Sequence, residues 1–122
     1  MTTRRDVINF CKKLDDVYED YPFRDDNWTI MRHRENKKMF AAIYERQGKI
    51  WLNIKCNPNL AYMWRSSYKS VVPAYHMNKV HWNSIILDGD VPEWEVKNMI
   101  ADSYDLTKGR KKGKGRMRCD KY

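Results

Sequence analysis

Between Trp28 and Cys56 the apolar residues return at every second position. Ile50, Leu52, Ile54 and Cys56 alternate with Trp51, Asn53 and Lys55, while Met39, Ala41 and Ile43 alternate with Phe40, Ala42 and Tyr44. Side chains two apart in a strand share a face, so this period predicts sheet and excludes an all-helical fold. Polar turns at Glu35-Asn36-Lys37 and Arg46-Gln47-Gly48 divide the region into three strands joined as hairpins. Gly48 suits the left-handed position of a bulged three-residue turn.

The flanking segments have helical spacing. Val7, Phe10, Cys11, Leu14, Val17 and Tyr18 fall three and four apart, predicting a first helix that ends near Asp20, before Pro22. Thr3 and Asp6 stand at capping-box distance at its start. Its outer face would carry Asp15, Asp16, Glu19 and Asp20. Asn57-Pro58 opens a second helix, because Asn caps well and Pro is tolerated in the first turn. Val71–Met77 and His81–Leu87 read as two more strands, with Pro73 confining the first to a sheet edge or bulge. Asp90 and Glu93 have capping-box spacing before a last helix through Tyr104. The expected fold is α+β, a two-layer sandwich of order α-β-β-β-α-β-β-α, its antiparallel sheet covered by helices on one face.

A chain of 122 residues suits one core, here placed at residues 1–107. Residues 108–122 form a basic tail, expected to be flexible, with eight basic residues against Asp120 alone, a net +7. The preceding 107 residues hold 16 basic and 15 acidic side chains, so the overall +8 belongs almost wholly to the tail. Three scattered cysteines without a Cys-x-x-Cys pair point to a reducing, cytoplasmic setting and away from zinc. No apolar run approaches the roughly 18 residues of a membrane span.

Val71 to Lys79, followed by His81-Trp82-Asn83 and Leu87-Asp88-Gly89, resembles the MmcQ/YjbR family. Asp20-Tyr21-Pro22-Phe23, Lys38-Met39-Phe40-Ala41, Asn53-Ile54-Lys55-Cys56 and Ser103-Tyr104-Asp105-Leu106 fit the same pattern. The resemblance covers roughly residues 5 to 107. It implies a CyaY-like, frataxin-like domain of a kind described as double-wing DNA-binding proteins, and it brings no catalytic residue set. The basic tail departs from the family pattern.

Four candidate sites follow. A two-residue turn at Asn78 and Lys79 would pair residues whose numbers sum to 157, bringing His76 opposite His81 and Tyr75 opposite Trp82. With Asn78, Lys79 and Asn83 these could bind a small anionic ligand or a protein partner, or the histidines could contribute two ligands to a metal; the competing reading has them only pack and bond to backbone. Second, Arg32, Arg34, Lys37 and Lys38 at one hairpin tip, Arg46 and Lys49 at the other, and Trp51 and Lys55 on the sheet could contact phosphates and stack on bases. Trp51 could equally be covered in a homodimer. Third, Arg110, Lys111, Lys112 and Lys114 of the tail would attract nucleic acid without regard to sequence, or be merely solvated. Fourth, Asp25 and Asp26 extend the acidic helix face, where frataxin-like domains are associated with iron; the interspersed Arg4, Arg5, Lys12, Lys13 and Arg24 argue for a plain surface. Cys56 is expected in the core. No nucleophile elbow, phosphate-binding glycine loop or His-Glu-x-x-His pattern is present, so neither a cofactor nor an enzymatic activity is expected. The leading expectation is a nucleic-acid-binding protein.

Overall fold

The computed structural model describes residues 1–109. Helix α1 (Arg4–Cys11) leads into strands β1 (Val17–Asp20), β2 (Thr29–His33), β3 (Met39–Arg46) and β4 (Lys49–Lys55). Helix α2 (Pro58–Ser67), strands β5 (Val71–Pro73) and β6 (Trp82–Ile86), and helix α3 (Glu93–Thr107) complete it. The strands form one antiparallel sheet in the order β1-β2-β3-β4-β6-β5.

The α+β two-layer expectation holds. Val7, Ile8 and Cys11 of α1, Ala61 of α2 and Val96, Met99 and Ile100 of α3 share one core with Met31, Ile43, Leu52, Ile54 and Ile85. Those strand residues fall on one face by alternation. Two starts form as expected. Thr3 and Asp6 make a reciprocal capping box, and the Asn57 side chain accepts from the Asn59 amide with Pro58 in the first turn. Cys56 is buried in the core, and desolvation pushes its thiol up to about 12.

Four expectations are corrected. The first helix stops at Cys11, because Asp16 takes a left-handed φ of 60° and Val17–Asp20 becomes an edge strand paired with β2. The acidic residues expected on a helix face therefore lie on a turn and a strand. The β3–β4 connection is a two-residue turn, Gln47 at φ 54° and Gly48 at φ 77°, with Arg46 directly opposite Lys49. Positive φ at both central residues is the mirror-image turn that matches strand twist. Asp90 does not cap α3; its carboxylate accepts from the Lys69 and Ser70 amides, both at 2.9 Å, and Pro92 precedes the helix instead. The β5–β6 pair sums to 156, a one-residue difference, and pairing ends at Pro73 opposite Asn83, so His76 and His81 are not cross-strand neighbours. Pro73 does lie on an edge strand, β5 being last in the sheet.

Candidate site on the sheet face away from the helices

Strands β3 and β4 are apolar or aromatic on both faces, which signals cover on both sides. Ala42, Tyr44, Trp51 and Asn53 lie on the face opposite the helices, yet all four are buried. Two loops cover them. Residues 21–28 bring Trp28 onto Tyr44, ring centroids 4.1 Å apart and nearly parallel. Residues 74–81 bring Tyr75 to 5.8 Å from Tyr44, with His76 4.1 Å from Tyr75 and 6.3 Å from Trp28.

Both loops are tied down by hydrogen bonds. The Asn27 Oδ1 accepts from the Glu45 amide at 2.8 Å and Arg4 donates to the Asn27 carbonyl at 2.6 Å, fixing the backbone that carries Trp28. Under the second loop, Asn53 accepts from the Tyr44 hydroxyl at 3.0 Å and from Ser84 Oγ, and donates to the Tyr75 carbonyl at 3.0 Å. The Tyr75 amide donates to Ser84 Oγ at 3.0 Å. Burial raises the Tyr44 pKa, so its hydroxyl stays protonated and bonded.

The candidate ligand residues divide. Tyr75 and His76 stand on this face, His76 exposed at φ 61°. Asn78 serves the loop itself, its side chain accepting from the Val80 and His81 amides. The Lys79 carbonyl accepts from Arg65 of α2, and the His81 carbonyl from the Cys56 amide. Trp82 is half-buried at the start of β6. Asn83 is buried on the helix side, accepting from Arg65 Nε at 2.6 Å and donating to the Ala61 carbonyl at 3.1 Å. Two of the seven thus form one surface, and Asn78 and Asn83 hold structure.

The basic candidates also separate. Arg32 is spent on Asp20 at 2.7 Å, and Arg34 lies 3.8 Å from Asp16. Lys37, Lys38 and Lys49 are exposed and Lys55 is half-buried. Arg46 lies against the rings of Trp51, 4.6 Å, and Tyr75, 4.1 Å. Trp51 is 7% exposed and donates its indole N–H to the Arg46 carbonyl, so the expected exposed base-stacking platform is corrected: Arg46 and neighbouring rings occupy that surface. Arg110, Lys111, Lys112 and Lys114 lie outside the described residues.

Trp28 and Tyr44 escaped the sequence reading as members of this cluster. Their signal was the doubly apolar β3 together with a tryptophan one residue before β2. Among the described residues no group of His, Cys, Asp and Glu is arranged to hold a metal, and no helix is long and apolar enough to cross a membrane.

The geometry defines an α+β fold whose sheet is packed by helices on one side and by two aromatic-bearing loops on the other. The chain belongs to the YjbR family, whose model matches residues 12–106. It is 35% identical over 119 residues to the Bacillus subtilis protein YyaQ, covering 88% of this chain and all of that one. It is 28% identical over 78 residues to Escherichia coli YjbR, covering 64% of this chain and 66% of the relative. Among solved structures, the Deinococcus radiodurans protein DR2400, a DUF419 domain, superposes with a TM-score of 0.82 at 30% identity, covering 92% of this chain and 84% of that one. A Pseudomonas syringae protein superposes at 0.78 and 28% identity, covering 87% and 99% respectively.

Proposed function

We propose that this protein binds nucleic acid through a basic pole formed by the β2–β3 hairpin and the C-terminal segment. The supporting observation is where α3 ends. Asn36 in the hairpin donates to the Thr107 carbonyl at 3.0 Å, and Gly109 lies so close to Glu35 that a Cβ there would come within 3.0 Å of its carboxylate. The chain therefore leaves the described domain beside Arg34, Lys37 and Lys38. Residues 110–122 carry seven basic side chains against Asp120. The basic C-terminal stretch is thus attached to the domain at a point beside the basic hairpin, and each phosphate that such cations neutralise releases counterions.

The double-wing, CyaY-like description of proteins resembling this one fits the two hairpins as wings, but they point to opposite ends of the sheet. The eight residues of β3 separate their tips by about 23 Å at 3.3 Å per residue. The phosphate contacts therefore fall to the β2–β3 wing, with Lys55 at the same end of the sheet.

Fluorescence anisotropy with labelled duplex and single-stranded DNA, at about 50 mM and about 200 mM salt, tests this. Three proteins are compared: the full chain, a Lys37→Glu/Lys38→Glu variant and a chain truncated after Gly109. Binding at low salt that falls steeply with salt, and weakens in both altered proteins, is the expected result. No binding by the full chain at low salt overturns the proposal. Binding lost on truncation but untouched by the hairpin charges removes the folded domain from it.

A further inference from the structure

The other end of the sheet carries a second feature, independent of the basic pole. Arg46 and Lys49 face each other directly across the β3–β4 turn. By strand alternation both lie on the face of Trp51, away from the helices. Like charges placed opposite one another across a ladder are destabilising. Among the described residues neither side chain enters an ion pair, and Glu45, the acid nearest in sequence, alternates to the opposite face, opposite Ile50.

Arg46 is also unlike a freely solvated surface arginine. It is half-buried, with its guanidinium carbon 4.6 Å from the Trp51 ring centre and 4.1 Å from that of Tyr75. Contacts of this kind engage the flat faces of the guanidinium and leave its in-plane N–H donors available. Tyr75 is itself held by Asn53 and Ser84 beneath it, and Trp51 by its bond to the Arg46 carbonyl. The cation is thus pre-oriented by rings that are themselves fixed, which reduces the ordering entropy a ligand must overcome.

We propose that Arg46 and Lys49 form a receptor for an oxyanion, the phosphate or carboxylate group of a small metabolite. The guanidinium would donate two parallel hydrogen bonds to it and the Lys49 ammonium would supply a point charge. An anion between the two cations converts their mutual repulsion into two attractions. A backbone phosphate of nucleic acid has the same chemistry, and the experiment separates the two sources.

Chemical shifts of the Arg46 Nε–H and Trp51 indole N–H are followed by NMR as inorganic phosphate is added at constant ionic strength. Parallel titrations use sodium chloride and a short single-stranded DNA. Saturable shifts with phosphate, absent with chloride, are expected. Lys49→Gln, at an exposed position, should keep the fold and weaken the response about threefold. Arg46→Gln, read on the Trp51 indole, should weaken it about tenfold or more. Saturation by free phosphate identifies a small-ligand site, while saturation by DNA alone identifies a backbone phosphate as the source. Shifts that chloride reproduces, or that survive unchanged in both variants, overturn the receptor. Failure here leaves the basic pole untouched, because that pole is read from the hairpin and truncation variants at the opposite end.

Discussion

His33 Nε2 lies 2.8 Å from the hydroxyl of Thr107, tying β2 to the last residue of α3. The Thr107 hydroxyl donates onward to the Ser103 carbonyl at 2.8 Å, which leaves it an acceptor toward His33 and assigns the ring proton to Nε2. Phe40 and Tyr104 enclose the imidazole with ring centroids at 5.1 and 4.7 Å. This contact fixes the end of α3 beside the β2–β3 hairpin, where the proposed basic pole is placed.

Burial lowers the His33 pKa, and the Lys108 ammonium lowers it further, against weaker opposing effects from Glu35, a hydrogen bond to the Tyr104 backbone, and Asp16. The unfolded chain, with an ordinary histidine near pH 6.5, then binds the proton more readily than the folded one. His33 therefore contributes stability that is complete above about pH 6.5 and is lost as pH falls through its lowered folded value. Urea unfolding between pH 5 and 7.5 should show the midpoint falling on acidification. A His33→Phe protein, although less stable at neutral pH, should show a shallower fall over the same interval; an unchanged slope would place the dependence elsewhere.

The Asn53 side chain satisfies the Tyr44 hydroxyl, Ser84 and the Tyr75 carbonyl together. Asn53→Ala leaves those buried groups without their partner and should cost about 2–3 kcal/mol of unfolding free energy. Hydrogen exchange at residues 75–77 should accelerate beyond what global destabilisation explains. That local signature distinguishes loss of the loop tether from loss of core.

How much of this was legible in the sequence depended on which partners decide each element. β3 and β4 followed from their own alternation, and α2 from Asn57 and Pro58, because the deciding interactions lie within a few residues. Val17 and Tyr18 fit a helical stripe and an edge strand equally well. Pairing with β2 and the left-handed turn at Asp16 selected the strand, a tertiary override of local spacing. The same holds for residues 74–81. A hairpin through Asn78 and Lys79 was locally reasonable, but Arg65 of α2 grips the Lys79 and Trp82 carbonyls, and Ser84 and Asn53 draw Tyr75 back over the sheet. The observed β5–β6 pairing differs from that hairpin by one residue, and a slip of one residue moves the slipped strand's side chains to the other face. Phe40 is similar: the register shift opposite Met31 and Arg32 makes it the extra residue, and its ring joins His33 and Tyr104 on the helix side.

Arg65 offers a direct test of that account. Arg65→Met removes the donor to Asn83 Oδ1 at 2.6 Å and to the loop carbonyls while keeping much of the side-chain volume. Loss of about 1–3 kcal/mol is expected, because a buried amide oxygen is left unpaired. Amides at residues 79–82 should exchange faster, whereas β3 amides should follow global stability alone.

Cys11 and Cys56 are buried, and desolvation raises both thiols to about 12. The thiolate is the reactive form, so neither should be alkylated at pH 8 on a timescale of minutes. Peptide mapping after brief iodoacetamide treatment should find both unmodified in the native protein and modified in urea. Rapid native labelling at Cys56 would contradict its place in the core.

Gly48 has open space around its α-carbon and a φ of 77°, so the cost of a side chain there is conformational alone. Gly48→Ala should lower stability by about 1 kcal/mol, Gly48→Asn by less, since Asn tolerates the left-handed region, and Gly48→Val by more. Urea midpoints give that order directly. The series also bears on the Arg46–Lys49 pair, because this turn closes the ladder in the register that sets the two cations opposite one another. If the proposed oxyanion receptor requires that register, Gly48→Val should weaken the phosphate-induced shifts at Arg46 along with stability, while Gly48→Asn should preserve them. A series in which phosphate response failed to follow the turn would separate the receptor from the hairpin geometry that defines it.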